Sequence, residues 1–345
     1  MSGTYMKRLL IALGATGGLF LIIQLGALAL VEPFMLAGYQ PVEDPGDPLN
    51  VLLFVIAILL ITALMLVAIR FGIERLIQGV IIFATIFVSY YVLSVLLPAI
   101  FTVLGINVPA IILAIGIGLG LLIHPEWYVI DIVGVILGAG AAALFGISFG
   151  MLPALGFLVI LAIYDAISVY KTEHMLTLAS GVLELRLPIV LVIPLSLSYS
   201  FLDQTLPESL DGESATETVE TEDTEITSRE PQIKDIDSEE MPERDAVFIG
   251  LGDAIIPTIL VVSAAYFQPG SVPLLDVPII ALTLPAVGAI IGTLLGLSML
   301  QIMVMKGRAH AGLPLLNGGA IAGYLVAALL IGIPLVEAIG LSQYL

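Results

Sequence analysis

Long apolar runs separated by short polar breaks dominate the chain, and about 20 apolar residues are what an α-helix needs to cross the hydrocarbon core of a bilayer. By that criterion spans fall at roughly 9–31, 50–69, 77–102, 108–123, 128–149, 151–170, 246–266, 277–304 and 313–336. The pattern predicts an all-α polytopic membrane protein of nine transmembrane helices. Its parts are a six-helix N-terminal half with a short segment after the sixth helix (1–206), an acidic cytoplasmic linker (207–245) and a three-helix C-terminal half (246–345). The linker is rich in Glu, Asp, Thr and Ser and almost free of large apolar residues, so it cannot bury enough surface to fold and is expected to be disordered.

The basic residues set the expected orientation. With Lys7 and Arg8 inside, Arg70, Arg75, Lys171, Arg186, Arg229, Lys234, Arg244, Lys306 and Arg308 all fall on the same side, while the opposite loops carry acids and no base. The positive-inside rule then places the N-terminus in the cytoplasm and the C-terminus outside, in a multi-pass protein of the cell membrane. The same rule argues against a tenth span at Leu187 to Leu202. That stretch is short, is broken by Pro188 and Pro194, and would send five basic residues outside. The β-branched run Ile189, Val190, Val192 and Ile193 between the two prolines predicts an extended or re-entrant strand near the cytoplasmic face.

Composition agrees with a bilayer protein: 59% hydrophobic residues, 12% charged and a mean hydropathy of +1.12. The net charge of −18 is mostly local, because residues 171–245 hold 18 of the 29 acids, so the low pI implies no basic partner and no nucleic acid. No cysteine is present, which excludes thiolate nucleophiles and Cys-ligated zinc. The first apolar run continues past twenty residues with no small-residue cleavage site, as a retained helix does.

Acidic residues inside spans carry the candidate chemistry, since a charge at mid-bilayer costs on the order of 3 kcal/mol even on lenient insertion scales. Asp165 lies six residues before Lys171, about 9 Å deep on a helical rise. Asp253 lies eight residues after Asp245, about 12 Å deep by the same rise. On antiparallel neighbouring helices the two carboxylates sit level. Asp131 and Glu337 read as interfacial, Asp131 as a snorkelling or capping acid beside Trp127 and Tyr128.

Local context sharpens the pair. Asp253 closes Gly250-Leu251-Gly252-Asp253, Asp165 follows Tyr164, and Pro314-Leu315-Leu316 opens the ninth span about 9 Å in from Arg308. With these motifs the chain resembles the presenilin and signal peptide peptidase family of intramembrane aspartyl proteases, and is most like an archaeal presenilin homologue. That family carries Tyr-Asp on helix six, Gly-x-Gly-Asp on helix seven and Pro-Ala-Leu on helix nine. Here Leu315 stands where the family usually has Ala. The resemblance implies an aspartic endopeptidase of the Gly-x-Gly-Asp type, with Asp165 and Asp253 catalytic and Tyr164, Gly250, Leu251, Gly252, Pro314, Leu315 and Leu316 in the active-site motifs. Its substrates would be transmembrane proteins or peptides whose N-terminus is outside. It implies no cofactor, no metal and no obligate accessory subunit, and leaves homo-oligomerisation open.

A substrate helix hides its peptide bonds, so cleavage requires local unwinding, and the freed backbone needs partners. Ile189, Val190, Leu191, Val192 and Ile193 are the expected strand partner for it. The competing reading is a proton-coupled transporter or ion pathway built on the same buried carboxylates. Gly146-Ile147-Ser148-Phe149-Gly150 fits the serine-hydrolase elbow pattern, but all three histidines fall in cytoplasmic loops, a membrane thickness of about 30 Å away. Gly134-x-x-x-Gly138 and Gly288-x-x-x-Gly292-x-x-x-Gly296 are expected to pack helices within the chain.

Overall fold

The computed structural model describes residues 3–172, 190–195, 199, 246–267, 273–277, 280–304 and 310–342. Its elements in chain order are helices α1 (Gly3–Leu36), α2 (Leu49–Arg70) and α3 (Glu74–Leu96), strands β1 (Thr102–Val103) and β2 (Ile106–Asn107), then α4 (Val108–Ile123), α5 (Trp127–Gly146) and α6 (Met151–Ile167). A π-helical turn, Ser168–Thr172, ends α6. Strands β3 (Val190–Pro194) and β4 (Ala246–Gly250) precede α7 (Leu251–Tyr266), and β5 (Pro273–Val277) and β6 (Ile280–Thr283) precede α8 (Leu284–Val304). The chain closes with α9 (Leu313–Leu330) and the short α10 (Leu335–Ala338). The linker expected at 207–245 lies outside the described residues, as does Ile189.

Seven of these helices are long and apolar enough to cross a membrane, and α4 and α7 are shorter apolar helices. The α7 helix is at the centre of the bundle. It packs on α1, α5, α6, α8 and α9, and every residue from Thr258 to Ala264 is at most 1% exposed. A helix apolar on all sides is stable only when wrapped in this way or held in lipid. Small residues let its neighbours close on it: a Cβ at Gly146 of α5 would overlap the Val262 side chain. The glycines of α8 meet α9 directly. A Cβ at Gly288, Gly292 or Gly296 would overlap the carbonyl of Gly323, Gly319 or Leu315 respectively, so this stripe packs within the chain, as does the Gly134 and Gly138 pair on α5.

Several expected spans are shorter than the apolar runs. Residues 246–250 begin no helix: they are β4, paired antiparallel with β3 from Val190↔Gly250 to Pro194↔Ala246. Val247, Phe248 and Ile249 suit an extended backbone, and Gly250 caps α7 in a non-helical conformation. The depth of Asp253 reckoned on a helical rise from Asp245 therefore does not hold. The run at 277–304 likewise starts as a hairpin, β5 with β6, and turns helical only at Leu284, just before Pro285, whose fixed φ suits a first turn. The third span stops at Leu96, where Leu97 turns extended before Pro98. The ninth stops at Leu330, followed by Gly332 at φ +83°, a conformation that favours glycine.

Candidate active site

Asp165 and Asp253 converge on one short segment, Gly312–Leu313, at the start of α9. Asp165 lies near the end of α6, is 5% exposed, and its Oδ2 accepts a hydrogen bond of 3.0 Å from the Leu313 amide. The Gly312 amide also reaches it. Asp253 lies in the first turn of α7, where the helix dipole favours a negative charge. Its Oδ2 is 3.1 Å from where a Cβ on Gly312 would stand and 3.5 Å from where one on Gly250 would stand. The two carboxyl groups are near enough for their charges to repel. A side chain at position 312 would crowd the Asp253 carboxyl, which is why a glycine at this place matters.

The backbone of α7 is altered beside its acid. Pro257 has no N–H, so the bond that residue 257 would donate to the Asp253 carbonyl is missing, and Thr258 Oγ1 donates to the Ala254 carbonyl at 2.6 Å. Further along α6, the Tyr170 hydroxyl in the π-helical turn accepts from the Ala311 amide at 3.3 Å. One turn into α9, the buried Asn317 donates through Nδ2 to the Leu158 carbonyl at 2.9 Å. Residues 311, 313 and 317 thus tie α9 to α6 on both sides of Asp165.

The other residues expected at the site take different places. Tyr164 is 36% exposed on α6. Leu251 is buried, and Gly252 lines an open cavity of about 460 Å³ bordered by α2, α3, α5 and α7. Pro314 occupies the first turn of α9, where its missing N–H costs no helix bond. Leu315 turns toward α8, its carbonyl against Gly296, and Leu316 is fully buried. The close approach to the aspartates is therefore made by Gly312 and Leu313, not by the residue at 315, and a leucine there does not disturb it.

Val190 to Ile193 do form a strand, β3, in a two-stranded sheet. Its partner on one edge is β4, and on the other the Val192 amide donates to Asp131 Oδ1 of α5 at 2.8 Å. A substrate strand set directly against β3, as the sequence led us to expect, would have to displace one of these. Asp131 is buried against the strand rather than open to solvent. It is 9% exposed and holds the strand backbone, while the cap position of α5 is Glu126.

Ser148 of the Gly-x-Ser-x-Gly pattern is fully buried and donates to the Leu144 carbonyl four residues back, as a helix-end serine does. Among the described residues, no group of three or more His, Asp or Glu side chains is placed to hold a metal ion. Gly312, Leu313 and Tyr170 went unread in the sequence, and the hydrogen bond of Asp131 to Val192 was not foreseen. The first two act through backbone amides, which leave no mark on residue type.

Comparison with known proteins gives a consistent picture. The family described as "Signal-peptide peptidase, presenilin aspartyl protease" matches residues 17–333. A solved structure described as a presenilin family intramembrane aspartate protease in C222 space group is 32% identical, with a TM-score of 0.60, covering 92% of this chain and 99% of that one. A second, in P2 space group, is 33% identical with a TM-score of 0.59, covering 92% and 97%. No curated protein matches the chain.

Proposed function

Since the chain belongs to the signal peptide peptidase and presenilin family of aspartyl proteases, we propose that it is an endopeptidase of the Gly-x-Gly-Asp type that hydrolyses peptide bonds within transmembrane segments, with Asp165 and Asp253 as its catalytic pair. The observation that carries this reading is the convergence of both carboxyl groups on Gly312–Leu313. Two carboxyl groups whose charges repel do not both ionise cheaply, so one is charged and one protonated, and the pair titrates as a unit. The charged one takes a proton from water as the water oxygen bonds to the scissile carbonyl carbon. The protonated one gives its proton to the carbonyl oxygen. Collapse of the resulting gem-diol breaks the C–N bond, and the amine leaves with a proton returned by the pair.

Around this chemistry we place nine spans, the seven long helices with α4 and α7, in a multi-pass protein of the cell membrane with a cytoplasmic N-terminus and an outside C-terminus. Substrates are then spans of other membrane proteins with an outside N-terminus, and no accessory subunit is needed. The apolar cavity of about 460 Å³ that ends on Gly252 gives a substrate helix its way to Asp253. Once unwound, the substrate extends the two-stranded β3–β4 sheet, with β4 as the neighbouring strand and β3 behind it.

The decisive experiment is cleavage of a reporter transmembrane peptide by purified protein in detergent, comparing wild type with Asp165→Ala and Asp253→Ala. Each variant should lose activity by about a thousandfold or more with helicity retained. Cleavage that survives either substitution would end the two-aspartate reading.

A further inference from the structure

A third buried carboxyl group lies within reach of the site and has no part in the chemistry above. Asp131 stands one turn into α5, almost fully buried, and accepts a 2.8 Å hydrogen bond from the Val192 amide of β3. In an antiparallel pair the residues of a strand alternate between pointing their amides at the partner and away from it. The Val192 amide is turned toward α5, so β3 is pinned by β4 on one edge and by Asp131 on the other. Without that oxygen a backbone N–H would be left unsatisfied in an apolar setting formed by Ile82, Leu121, Ile130 and Val133.

The same face of α5 supports the rest of this unit. Three residues on, a Cβ at Gly134 would stand 2.9 Å from Leu191 Cδ2 of β3 and 3.8 Å from Leu251 Cδ1. Seven residues on, a Cβ at Gly138 would stand 3.3 Å from the same Leu251 atom. Positions 131, 134 and 138 line one helical face. One carboxyl holds the strand backbone, and two glycines make room for the strand's leucine and for the leucine inside Gly250-Leu251-Gly252-Asp253. Because β4 runs without a break into that turn, whatever fixes β3 also fixes where Asp253 begins.

We propose that Asp131 is a positioning residue of the protease, anchoring the β3–β4 sheet to α5 and so holding the turn that presents Asp253. This inference rests on Asp165 and Asp253 being the catalytic pair. It also explains why a carboxyl group is kept buried among apolar side chains: an ionised acceptor makes the stronger bond to a buried amide.

The test uses the full-length protein in liposomes with two readouts, amide exchange of residues 190–194 and 246–253 followed by mass spectrometry, and steady-state cleavage of a reporter transmembrane peptide. Asp131→Leu removes the acceptor, Asp131→Asn keeps a neutral one, and Val192→Pro removes the donor from the other end of the bond. Asp131→Leu should exchange about tenfold faster in both segments and lose about tenfold in kcat, with KM near that of wild type and an unfolding temperature only a few degrees lower. Asp131→Asn should stay within about threefold of wild type in both readouts, and Val192→Pro should match Asp131→Leu. Unchanged exchange across 246–253 in both Asp131→Leu and Val192→Pro would overturn the proposal. So would full kcat despite faster exchange, or an Asp131→Asn variant as impaired as Asp131→Leu. Exchange needs no turnover, so a protein that cleaved nothing would defeat the protease reading while the anchor was still decided.

Discussion

Helices α8 and α9 meet backbone to backbone, whereas α2 and α3 touch each other lightly. In the first pair, glycines at 288, 292, 296, 319 and 323 bring the two main chains into direct contact. In the second, only 11% of the α2 span and 22% of the α3 span is buried, against 56% for α5, and a cavity of about 460 Å³ opens between them and α5 and α7. Lipid tails are as apolar as leucine, so helices in a bilayer gain little from merely hiding apolar side chains. They associate where small residues allow close packing. The tight pair steadies the start of α9, whose amides hold Asp165, and the loose pair leaves the space beside Gly252. One side of the molecule fixes the acids, and the other leaves open space beside Gly252.

The comparison breaks first at the glycines. Gly319→Leu or Gly292→Leu would drive a side chain into a facing carbonyl that cannot move, lifting α9 off α8 and its first amides off Asp165. Reporter cleavage should fall by about a hundredfold and thermal stability by roughly 3 kcal/mol. Gly318→Leu, on the same helix with open space around its Cβ position, should behave as wild type in both measurements. If Gly318 and Gly319 proved equally sensitive, backbone contact would not be what holds α9.

The loose side should respond in the opposite sense. Ala84→Leu and Ala141→Leu fill the cavity without touching the acids, so unfolding temperature should hold or rise. The KM for a transmembrane reporter should climb about tenfold at unchanged kcat, as expected when only uniform binding is lost. A fall in kcat alone would show that the cavity is not the substrate's path.

Acid chemistry itself is read by the pH profile. With one carboxyl ionised and one protonated at the optimum, activity should drop about tenfold per unit well below it, where both are protonated, and likewise well above it, where both are ionised. A sigmoid with one limb would exclude the shared proton. The smallest effect is expected at the hinge between α6 and α9: Tyr170→Phe deletes a single hydrogen bond to the Ala311 amide and should cost about 1 kcal/mol or less in stability and a few-fold in cleavage.

The main outline was legible in the sequence because it depends on quantities local to the chain. Spans appear as apolar length, the internal packing stripe as glycines every four residues on the eighth span, and Asp165 and Asp253 as acids where acids are expensive. Helix boundaries were less legible. Ala246 to Gly250, Val277 and Ile280 to Thr283 are apolar enough that hydropathy assigned them to spans, and only their strand partners made them extended. The partner of Asp131 was illegible for a related reason: it is the Val192 amide, 61 residues away in the chain.

What the sequence determined by itself was therefore that the chain belongs in a membrane, where its apolar segments lie, and which two carboxyl groups need an explanation. What the tertiary structure decided was every relation between distant backbones: β3 against β4, the amides of Gly312 and Leu313 against Asp165, and Asp131 beneath the strand. Residue type records a side chain's preference for water or lipid, but an amide or carbonyl is the same at nearly every position. Where those groups find their partners is settled only when the folded chain brings them together.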